Sequence, residues 1–132
     1  MALQRIMNTE VVNDRLLYLN EPKMALDFLV RNLGFAIRVQ TDPQKAGIAE
    51  VYDRSGNVYE VFLHTVINEN RVVSNKLIIH TSDCLQEYHQ MSLKGIIIIS
   101  KPYYLPEGLA FEISDYWNNR YTLMEKRDYT DQ

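Results

Sequence analysis

The hydrophobic pattern near the N-terminus changes period once, and the change separates a strand from a helix. Leu17 and Leu19 alternate with the residues on either side of them, which is the period of a half-buried strand. Phe28 and Leu33 belong to a set of apolar residues that then recurs at helical spacing. The pattern therefore predicts a strand over residues 11–20, followed directly by an amphipathic helix.

The predicted helix has a start signal and a stop signal in the sequence. Asn20 is the predicted N-cap, because its side-chain oxygen can accept a hydrogen bond from an unpaired backbone N–H of the first turn. Pro22 suits that first turn, where a missing N–H costs little. Gly34 is the predicted terminator, because glycine adopts a positive φ without steric penalty. The helix is thus expected to fill the interval between Asn20 and Gly34.

The remaining pattern completes one module and then repeats it. In the first half, we predict further strands over residues 35–40, 48–53 and 58–64. In the second half, we predict a helix over residues 84–93, capped by Ser82 or Asp83, a loop over residues 102–107, and strands over residues 76–81, 96–100, 109–114 and 121–126. The fold class is therefore α+β, with two tandem βαβββ modules at about residues 10–65 and 74–128, inside one domain that spans residues 1–132.

Identical residues at one fixed separation support the internal repeat. Glu50 and Glu112 lie 112 minus 50, or 62, positions apart. The same separation relates three further identical pairs, which are Asp53 and Asp115, Asn57 and Asn119, and Tyr59 and Tyr121. Asp and Asn favour tight turns because they bond their own backbone and tolerate a left-handed φ. We therefore interpret these residues as structural, placed at the turn before the last strand of each module.

Composition and charge narrow the class of protein. The chain has 132 residues, of which 46% are hydrophobic and 23% charged, which is typical of a globular domain with a real core. The net charge of −3 argues against nucleic-acid binding, which needs a basic face. The charge is compatible with a neutral or cationic small-molecule ligand, and we expect no nucleic-acid partner.

Cysteine content and hydropathy indicate the compartment. Cys84 is the single cysteine, so neither a disulfide framework within the chain nor a cysteine-rich zinc site is possible. The N-terminus lacks the apolar run of a signal peptide. The longest apolar run, at residues 96–99, is too short to span a bilayer. We expect a cytoplasmic protein without membrane contact.

Two motifs resemble a known superfamily. Residues 25–28 followed by Asn32-Leu-Gly-Phe35 are similar to its first-helix signature, and Asp53-Arg-Ser-Gly-Asn-Val-Tyr-Glu60 is similar to the end of one of its modules. The superfamily is the vicinal oxygen chelate superfamily, which includes glyoxalase I, extradiol dioxygenases and bleomycin-binding proteins. The resemblance implies two curved mixed sheets around a cavity, with the helices on the convex side. It implies little about the reaction, since the superfamily hosts many chemistries.

The resemblance also assigns four positions to metal ligands, and this chain fills them poorly. Carried over, the positions fall on Asp14, Glu60, Lys76 and Thr122. A catalytic metal needs about three good protein ligands. A protonated lysine offers no lone pair, and Thr122 is a weak ligand. We therefore expect no metal and no cofactor at these degenerate positions.

Strand parity, taken with the resemblance, predicts which side chains line the cavity. Parity gives the predicted ligand-binding residues Leu16, Tyr18, Phe62, Ile78, His80 and Met124, and the resemblance adds Tyr103 and Tyr104, which lie where the superfamily often has a loop over the pocket. They combine apolar area with a few polar groups, as small-molecule sites do. The candidates for catalysis are Glu60, His80 and Lys76, because a carboxylate, an imidazole and an amine can transfer protons. Alternatively, Glu60 and Lys76 form an ion pair where the metal would be, and His80 is a structural histidine.

Two function classes therefore stay open. The first is a metal-free protein that binds a small organic molecule and sequesters or senses it, as bleomycin-resistance proteins do. The second is a lyase, isomerase or dioxygenase of the same superfamily, using either a metal or acid–base chemistry. The resemblance also implies a homodimer, paired side by side or by module exchange, to which Trp117 and Tyr104 could contribute.

Overall fold

A computed structural model describes residues 15–38, 47–63 and 76–127 of the chain. The elements, in chain order, are β1 (Leu16–Leu17), α1 (Pro22–Leu33), β2 (Ala36–Arg38), β3 (Ile48–Tyr52), β4 (Val58–Phe62), β5 (Lys76–His80), α2 (Cys84–Leu93), β6 (Ile97–Leu105), β7 (Gly108–Ser114) and β8 (Arg120–Lys126). Asp14 lies outside the described residues, and so does the side chain of Lys76, whose backbone begins β5.

The strands form two four-stranded mixed sheets with the same topology. The first sheet has the order β1-β4-β3-β2 and the second has the order β5-β8-β7-β6. In each sheet the first strand of the module pairs in parallel with the last one, and the other pairs are antiparallel. The predicted α+β fold of two tandem βαβββ modules is therefore confirmed.

The core lies on one face of each sheet, where the helices pack. Leu17 on β1, Val61 on β4, Ile79 on β5 and Leu123 on β8 are all fully buried, and they hold the odd-numbered positions of their strands. Leu29 from α1 is buried with them. Even-numbered positions of the same strands point to the opposite, concave face, because side chains alternate along a strand. The predicted parity is thus the parity of the structure.

The repeated aspartates build the same turn in both modules. Asp53 Oδ1 accepts hydrogen bonds from the backbone N–H groups of Ser55 and Asn57, each at 2.9 Å. Asp115 Oδ1 accepts from Trp117 N–H at 2.9 Å and Asn119 N–H at 3.0 Å, which are the positions 62 residues later.

The two turns also share a side-chain network and an unusual backbone conformation. In the second copy, Asp115 Oδ2 accepts from Asn119 Nδ2 and from Tyr121 OH, each at 2.8 Å. Gly56 and Asn118 hold equivalent positions with φ of 86° and 68°. The structural interpretation of these residues accounts for every one of these contacts.

The predicted helix ends are partly correct. Gly34 ends α1 with φ 72°, and Asp83 caps α2 by accepting a hydrogen bond from Gln86 N–H at 3.1 Å. The prediction that Asn20 caps α1 is wrong. The N-cap is Glu21, which has φ 45° and makes no side-chain cap. Asn20 is instead drawn into contact with the other module, as described below, so a tertiary contact overrides the local preference.

The predicted loop over residues 102–107 is also wrong for most of its length. β6 runs from Ile97 to Leu105 and passes through Pro102. Its pairing with β7 shifts register between Ile98 and Ser100 and again between Ser100 and Tyr103. Among the described strands, β6 pairs with β7 alone and is an edge strand, which can accommodate a proline at an irregularity. Within the described residues, neither helix is long and apolar enough to cross a membrane.

Candidate binding site at the junction of the modules

A cleft of about 420 Å³ lies where the concave face of the second sheet meets the first module. Its lining residues are Arg15, Asn57, Tyr59, Leu77, Ile78, His80, Glu107, Met124 and Lys126. We call it the junction cleft. Leu77 and Met124 are buried, whereas Ile78 is 49% exposed and offers its side chain to solvent or to a ligand. The cleft thus has an apolar floor and a polar rim, the usual profile of a small-molecule site.

The internal repeat explains why space exists at this place. His80 and Met124 are the equivalents, 62 positions later, of Tyr18 and Phe62. In the first module the rings of Tyr18 and Phe62 stack with their centroids 4.6 Å apart. The smaller imidazole and the flexible thioether of the second module do not fill the same volume. The cleft therefore lies where one copy has an aromatic stack and the other has not.

Charged groups stand at the rim of the junction cleft. Arg15 donates a hydrogen bond to the carbonyl of Val58 at 3.3 Å, and its guanidinium lies 5.2 Å from the ring centroid of Tyr59. Glu107 and Lys126 come from the tip of the β6–β7 hairpin and from the end of β8. Both signs of charge are present, so the rim can meet ligand groups of either sign.

A hydrogen-bonded pair lies on the concave face of the second sheet beyond the floor of the cleft. Tyr103 OH donates to Glu112 Oε2 at 2.9 Å, and Glu112 N–H donates to Ser100 Oγ at 3.1 Å. Burial, together with the Glu112 carboxylate, raises the pKa of Tyr103 to about 12. Tyr103 therefore stays a hydrogen-bond donor at neutral pH, with its ring held in place.

The equivalent positions of the first sheet hold an ion pair. Glu50, the repeat equivalent of Glu112, accepts a hydrogen bond from Arg38 Nη1 at 2.9 Å. That carboxylate raises the pKa of the Arg38 guanidinium. Glu60 lies directly across from Glu50 in the antiparallel register, with Leu16 next to it on β1. Two carboxylates thus share the middle of this face, and Arg38 offsets the charge of one of them.

Not all the predicted ligand-binding residues come together. Ile78, His80 and Met124 line the junction cleft, and Tyr18 stacks on Phe62 in the other module. Leu16 lies on the first sheet beside Glu60. Tyr103 is on the second sheet, hydrogen bonded to Glu112 as above.

The two neighbouring tyrosines near the end of β6, Tyr103 and Tyr104, point to opposite sides of the strand. Tyr104, next to Tyr103 in the sequence, is 69% exposed, and Arg127 lies 5.8 Å from its ring centroid. Because neighbouring residues of a strand point to opposite sides, Tyr103 and Tyr104 do not form one aromatic platform.

His80 also borders a second cleft. Its lining residues are Arg54, Ser55, His80, Thr81, Ser82, Asp83, Gln86, Glu87 and Gln90, and its volume is about 420 Å³. We call it the polar cleft, because these side chains are charged or hydrogen bonding. Arg54 from the β3–β4 turn bridges to Glu87 of α2 along it. Among the candidates for catalysis, His80 lines both of these clefts, whereas Glu60 lines neither of them.

Of the four positions that the resemblance assigns to metal ligands, the structure describes the side chains of Glu60 and Thr122, and these two do not make a set of ligands for a divalent metal. Thr122 is buried on β8 and offers a neutral hydroxyl, and its cross-strand partners are Ile78 and Glu112. Among the described residues, no three His, Cys, Asp or Glu side chains lie close enough together to hold a metal ion. The donors at the described positions thus give no basis for a step that passes through a metal.

Cys84 is a structural cysteine. Its side chain is fully buried at the start of α2. Burial raises the pKa of its thiol to about 11, with a further contribution from Glu125, so the nucleophilic thiolate is scarce at neutral pH.

Three residues of these concave faces are absent from the predicted site, namely Glu112, Glu50 and Arg38. Glu112 and Glu50 were noted as a repeated pair, but their position on the concave face was not used. Strand parity, applied to β3 and β7 as it was to the outer strands, would have found both. Arg38 could not be found in this way, because its bond to Glu50 depends on the register between β2 and β3.

Solved structures resemble this chain over most of its length. TnmS3, an antibiotic binding protein from Streptomyces sp. CB03234, matches with a TM-score of 0.66 and 18% identity, covering 89% of this chain and 98% of that chain. A member of the glyoxalase/bleomycin resistance protein/dioxygenase superfamily from Sphaerobacter thermophilus matches with a TM-score of 0.62 and 24% identity, covering 84% and 93%. Lactoylglutathione lyase from Agrobacterium tumefaciens matches with a TM-score of 0.62 and 14% identity, covering 83% and 89%. No protein-family model and no curated protein sequence matches the chain.

Proposed function

Because the chain has the vicinal oxygen chelate fold of the glyoxalase/bleomycin resistance protein/dioxygenase superfamily, we propose that it binds a small, partly planar organic molecule. The molecule sits in the junction cleft and is sequestered or sensed without being converted. The observation that carries this proposal is the cleft itself, which has an apolar floor, a polar rim and the volume of a small ligand. The antibiotic-binding role of TnmS3 supports the same class of function.

The strength of binding can be bounded from the apolar surface involved. Removing about 150 Å² of a flat ring from water contributes roughly 4 kcal/mol before the cost of association is subtracted. Because about 4 kcal/mol corresponds to a dissociation constant of about 1 mM and the cost of association lowers the affinity, we expect a simple aromatic probe to bind in the millimolar range or more weakly, which titration by NMR can measure. Further affinity has to come from polar groups that match the rim.

The repeat supplies a variant that should close the cleft. The double substitution His80→Tyr/Met124→Phe copies the stacked pair of the first module into the second. A suitable probe is 2-(1-naphthyl)ethanol, which is neutral and planar. We expect saturable binding to the wild type and at least a tenfold loss in the double variant, because the added rings occupy the floor. NMR of the probe after incubation should show the unaltered alcohol.

A matched control makes the same residue changes on the helix surfaces. His89→Tyr/Met24→Phe alters two exposed positions, one on each helix, and should leave probe binding unchanged. If the wild type shows no saturable binding, or if the cleft-filling variant binds as well as the control, the proposal is wrong.

We also propose that binding requires no metal. The support is the chemistry of the donors, with a hydroxyl at Thr122 and a lysine at position 76 where ligands would be needed. Elemental analysis of the purified protein should find no stoichiometric zinc, nickel, manganese or iron. A stoichiometric metal that is lost in Glu60→Ala would contradict this part of the proposal.

Proton transfer at His80 is a second candidate function, and one observation favours it. The imidazole borders both clefts, so a ligand on one side and water on the other could exchange a proton through it. The test is exchange of the methyl hydrogens of 1-acetylnaphthalene with D2O. Faster exchange with the wild type than with His80→Gln, and no change in His89→Gln, would favour an enzyme over the binding protein.

The proposal includes a homodimer. The superfamily resemblance suggests it, and the exposed ring of Tyr104 is a surface that a partner could cover. Light scattering at tens of micromolar should give twice the mass of the chain. A monomer mass at that concentration would remove the dimer from the proposal.

A further inference from the structure

We infer that Glu112 binds a cationic group of the ligand, so that the ligand class is a planar aromatic molecule carrying a protonated amine. This inference rests on the proposed function, because it assigns the chemistry of one end of the molecule held in the junction cleft. It concerns a strand, β7, that contributes no lining residue to that cleft.

The comparison of Glu112 with its repeat equivalent points to a missing cation. In the first sheet, the cross-strand neighbour of Glu50 on the edge strand is Arg38, which binds the carboxylate at 2.9 Å. In the second sheet, the cross-strand neighbour of Glu112 on the edge strand is Ser100. Ser100 accepts a hydrogen bond from the backbone N–H of Glu112 and carries no charge. Among the described side chains, Glu50 therefore has a cation bound to its carboxylate, and Glu112 has no ion pair at the equivalent place.

The surroundings of Glu112 favour a ligand cation over a solvated carboxylate. Its neighbours along β7 on the same face are Ala110 and Ser114, both buried, and its partner on β8 is Thr122, also buried. Among the described residues, Tyr103 is the hydrogen-bond donor to the carboxylate, and no Lys or Arg side chain lies within 4.0 Å of it. A half-buried carboxylate whose nearest neighbours on β7 and directly across on β8 are small and neutral gains from binding an ammonium group.

The distance from the cleft is suitable for one small molecule. Ile78 at the cleft floor pairs with Thr122, which pairs in turn with Glu112, so the two positions lie two strands apart in one row. Adjacent strands are about 4.8 Å apart, which places Glu112 roughly 10 Å from the floor. A bicyclic ring with a two-carbon amine arm spans most of that distance, and the Glu112 side chain covers the rest.

A pair of probes that differ in charge alone tests the inference. These are 2-(1-naphthyl)ethylamine, which is cationic at neutral pH, and 2-(1-naphthyl)ethanol, which is neutral and nearly the same shape. Dissociation constants from NMR or calorimetric titration should favour the amine by about tenfold in the wild type, since hydrogen bonds to charged groups contribute at that level. Glu112→Gln should remove this preference and leave the affinity for the alcohol unchanged.

A second variant tests the same preference for the amine while Glu112 is kept. Ser100→Arg restores the neighbour that Glu50 has in the first sheet, and it should also abolish the preference for the amine. Glu50→Gln is the control and should retain the full preference, because its carboxylate is already paired with Arg38. Circular dichroism and thermal melts establish that each variant is folded.

The outcomes separate this inference from the proposed function. If the alcohol binds the wild type but the amine binds no better, or if both Glu112→Gln and Ser100→Arg keep the preference, the inference is wrong and the proposed function stands. If neither probe binds the wild type, the proposed function fails and the inference falls with it. Loss of the preference in both variants and its retention in Glu50→Gln is the result that supports the inference.

Discussion

The two modules meet at two junctions that the repeat makes equivalent, yet the two junctions are held differently. At the first junction, the start of α1 meets the β7–β8 turn. The Asn119 side chain accepts from Asn20 N–H at 2.7 Å and donates to the carbonyl of Asn20 at 2.9 Å, while Asn20 Nδ2 donates to the carbonyl of Trp117 at 2.9 Å. The ring of Phe28 stacks on Tyr121 with centroids 5.4 Å apart. These hydrogen bonds and the stacked rings together hold the two modules in contact at the first junction.

At the second junction, the start of α2 faces the β3–β4 turn across the polar cleft. Ser82 stands where the first junction has Asn20, and Gln90 stands where it has Phe28. The shorter hydroxyl and the polar amide line open space instead of closing it. The bridge across is the ion pair of Arg54 and Glu87, whose side chains are 31% and 15% exposed.

The comparison shows that one repeated backbone can form a closed contact between the modules at the first junction and an open cleft at the second. The strand order and the Asp–Asn hydrogen bonds of the turn recur in both copies, whereas the residues that reach across from the start of the helix differ. Asn and Phe make a sealed contact, and Ser and Gln leave a cleft beside His80. Contacts at the first junction therefore hold the two modules together, whereas the second junction is accessible to solvent.

The largest expected effect comes from removing the aromatic contact of the first junction. Phe28→Ala should lower the free energy of unfolding by about 3 kcal/mol or more, because it deletes a buried ring and leaves a cavity over Tyr121. Its repeat partner Gln90 is exposed, so Gln90→Ala should change stability by less than about 0.5 kcal/mol. Urea denaturation of both variants compares the two losses in the free energy of unfolding. Equal losses would show that the two junctions contribute equally to stability.

The next effect concerns the repeated asparagines. Asn119→Ala should cost about 2–3 kcal/mol, because the side chain is fully buried and its loss removes the partner of the backbone N–H and carbonyl of Asn20 and one of the donors to Asp115 Oδ2. Asn57→Ala should cost about 1 kcal/mol, because Asn57 is only half-buried and its side chain bonds Asp53 at 3.1 Å. Chemical denaturation under identical conditions compares them, and a larger loss for Asn57→Ala would overturn the ranking of the junctions.

The ion pair of the second junction should contribute less. Glu87→Gln is expected to cost about 0.5 kcal/mol at low salt, and the difference from wild type should shrink as salt is added, because partly exposed pairs are screened. Asp27→Asn removes the exposed pair with Arg31 within α1 and serves as the control. Melts in low and high salt provide the data. A loss of several kcal/mol in Glu87→Gln would make the second junction a principal anchor.

The smallest effect distinguishes how the two helices begin. α1 begins at Pro22, which has no N–H, whereas α2 begins at Cys84, whose N–H donates to Glu125 Oε1 at 2.9 Å. That bond, and then Arg127, lower the pKa of Glu125. A carboxylate with a lowered pKa stabilises the fold above its unfolded pKa, about 4.3, and loses this contribution as pH falls through the folded pKa. Wild type should therefore melt above Glu125→Gln at pH 7, and the gap should close below about pH 4; a gap that persists in acid would refute the assignment.

Repetition made most of the fold predictable from the sequence. The four identical pairs and the alternation around Leu17 and Ile79 predicted the two modules and their turns, and the superfamily resemblance implied the mixed sheets and the concave face. The turns and the alternation are local features, since a turn residue or a strand position depends on its own neighbours. Strand parity, taken with the resemblance, placed His80 and Met124 on one face, and the two residues pair across β5 and β8.

The features that sequence reasoning missed depend on contacts between distant segments. Asn20 was predicted as a cap because its local preference is strong, but Asn119 lies 99 positions away and binds it. The strand β6 continues through Pro102 at the edge of its sheet. The sequence around Pro102 does not show which strand lies at that edge. The junction cleft arises from the arrangement of two modules, and strand parity within one module does not reveal it.

One titration tests the central claim most directly. Amide signals of the isotope-labelled protein are recorded while 2-(1-naphthyl)ethylamine is added. The account predicts saturable shifts grouped on β5, β7 and β8, around Ile78, Glu112 and Met124, with α1 and the exposed ring of Tyr104 unaffected and the probe recovered unchanged. Shifts confined to the outer helix surfaces, or no saturable shift at all, would contradict it.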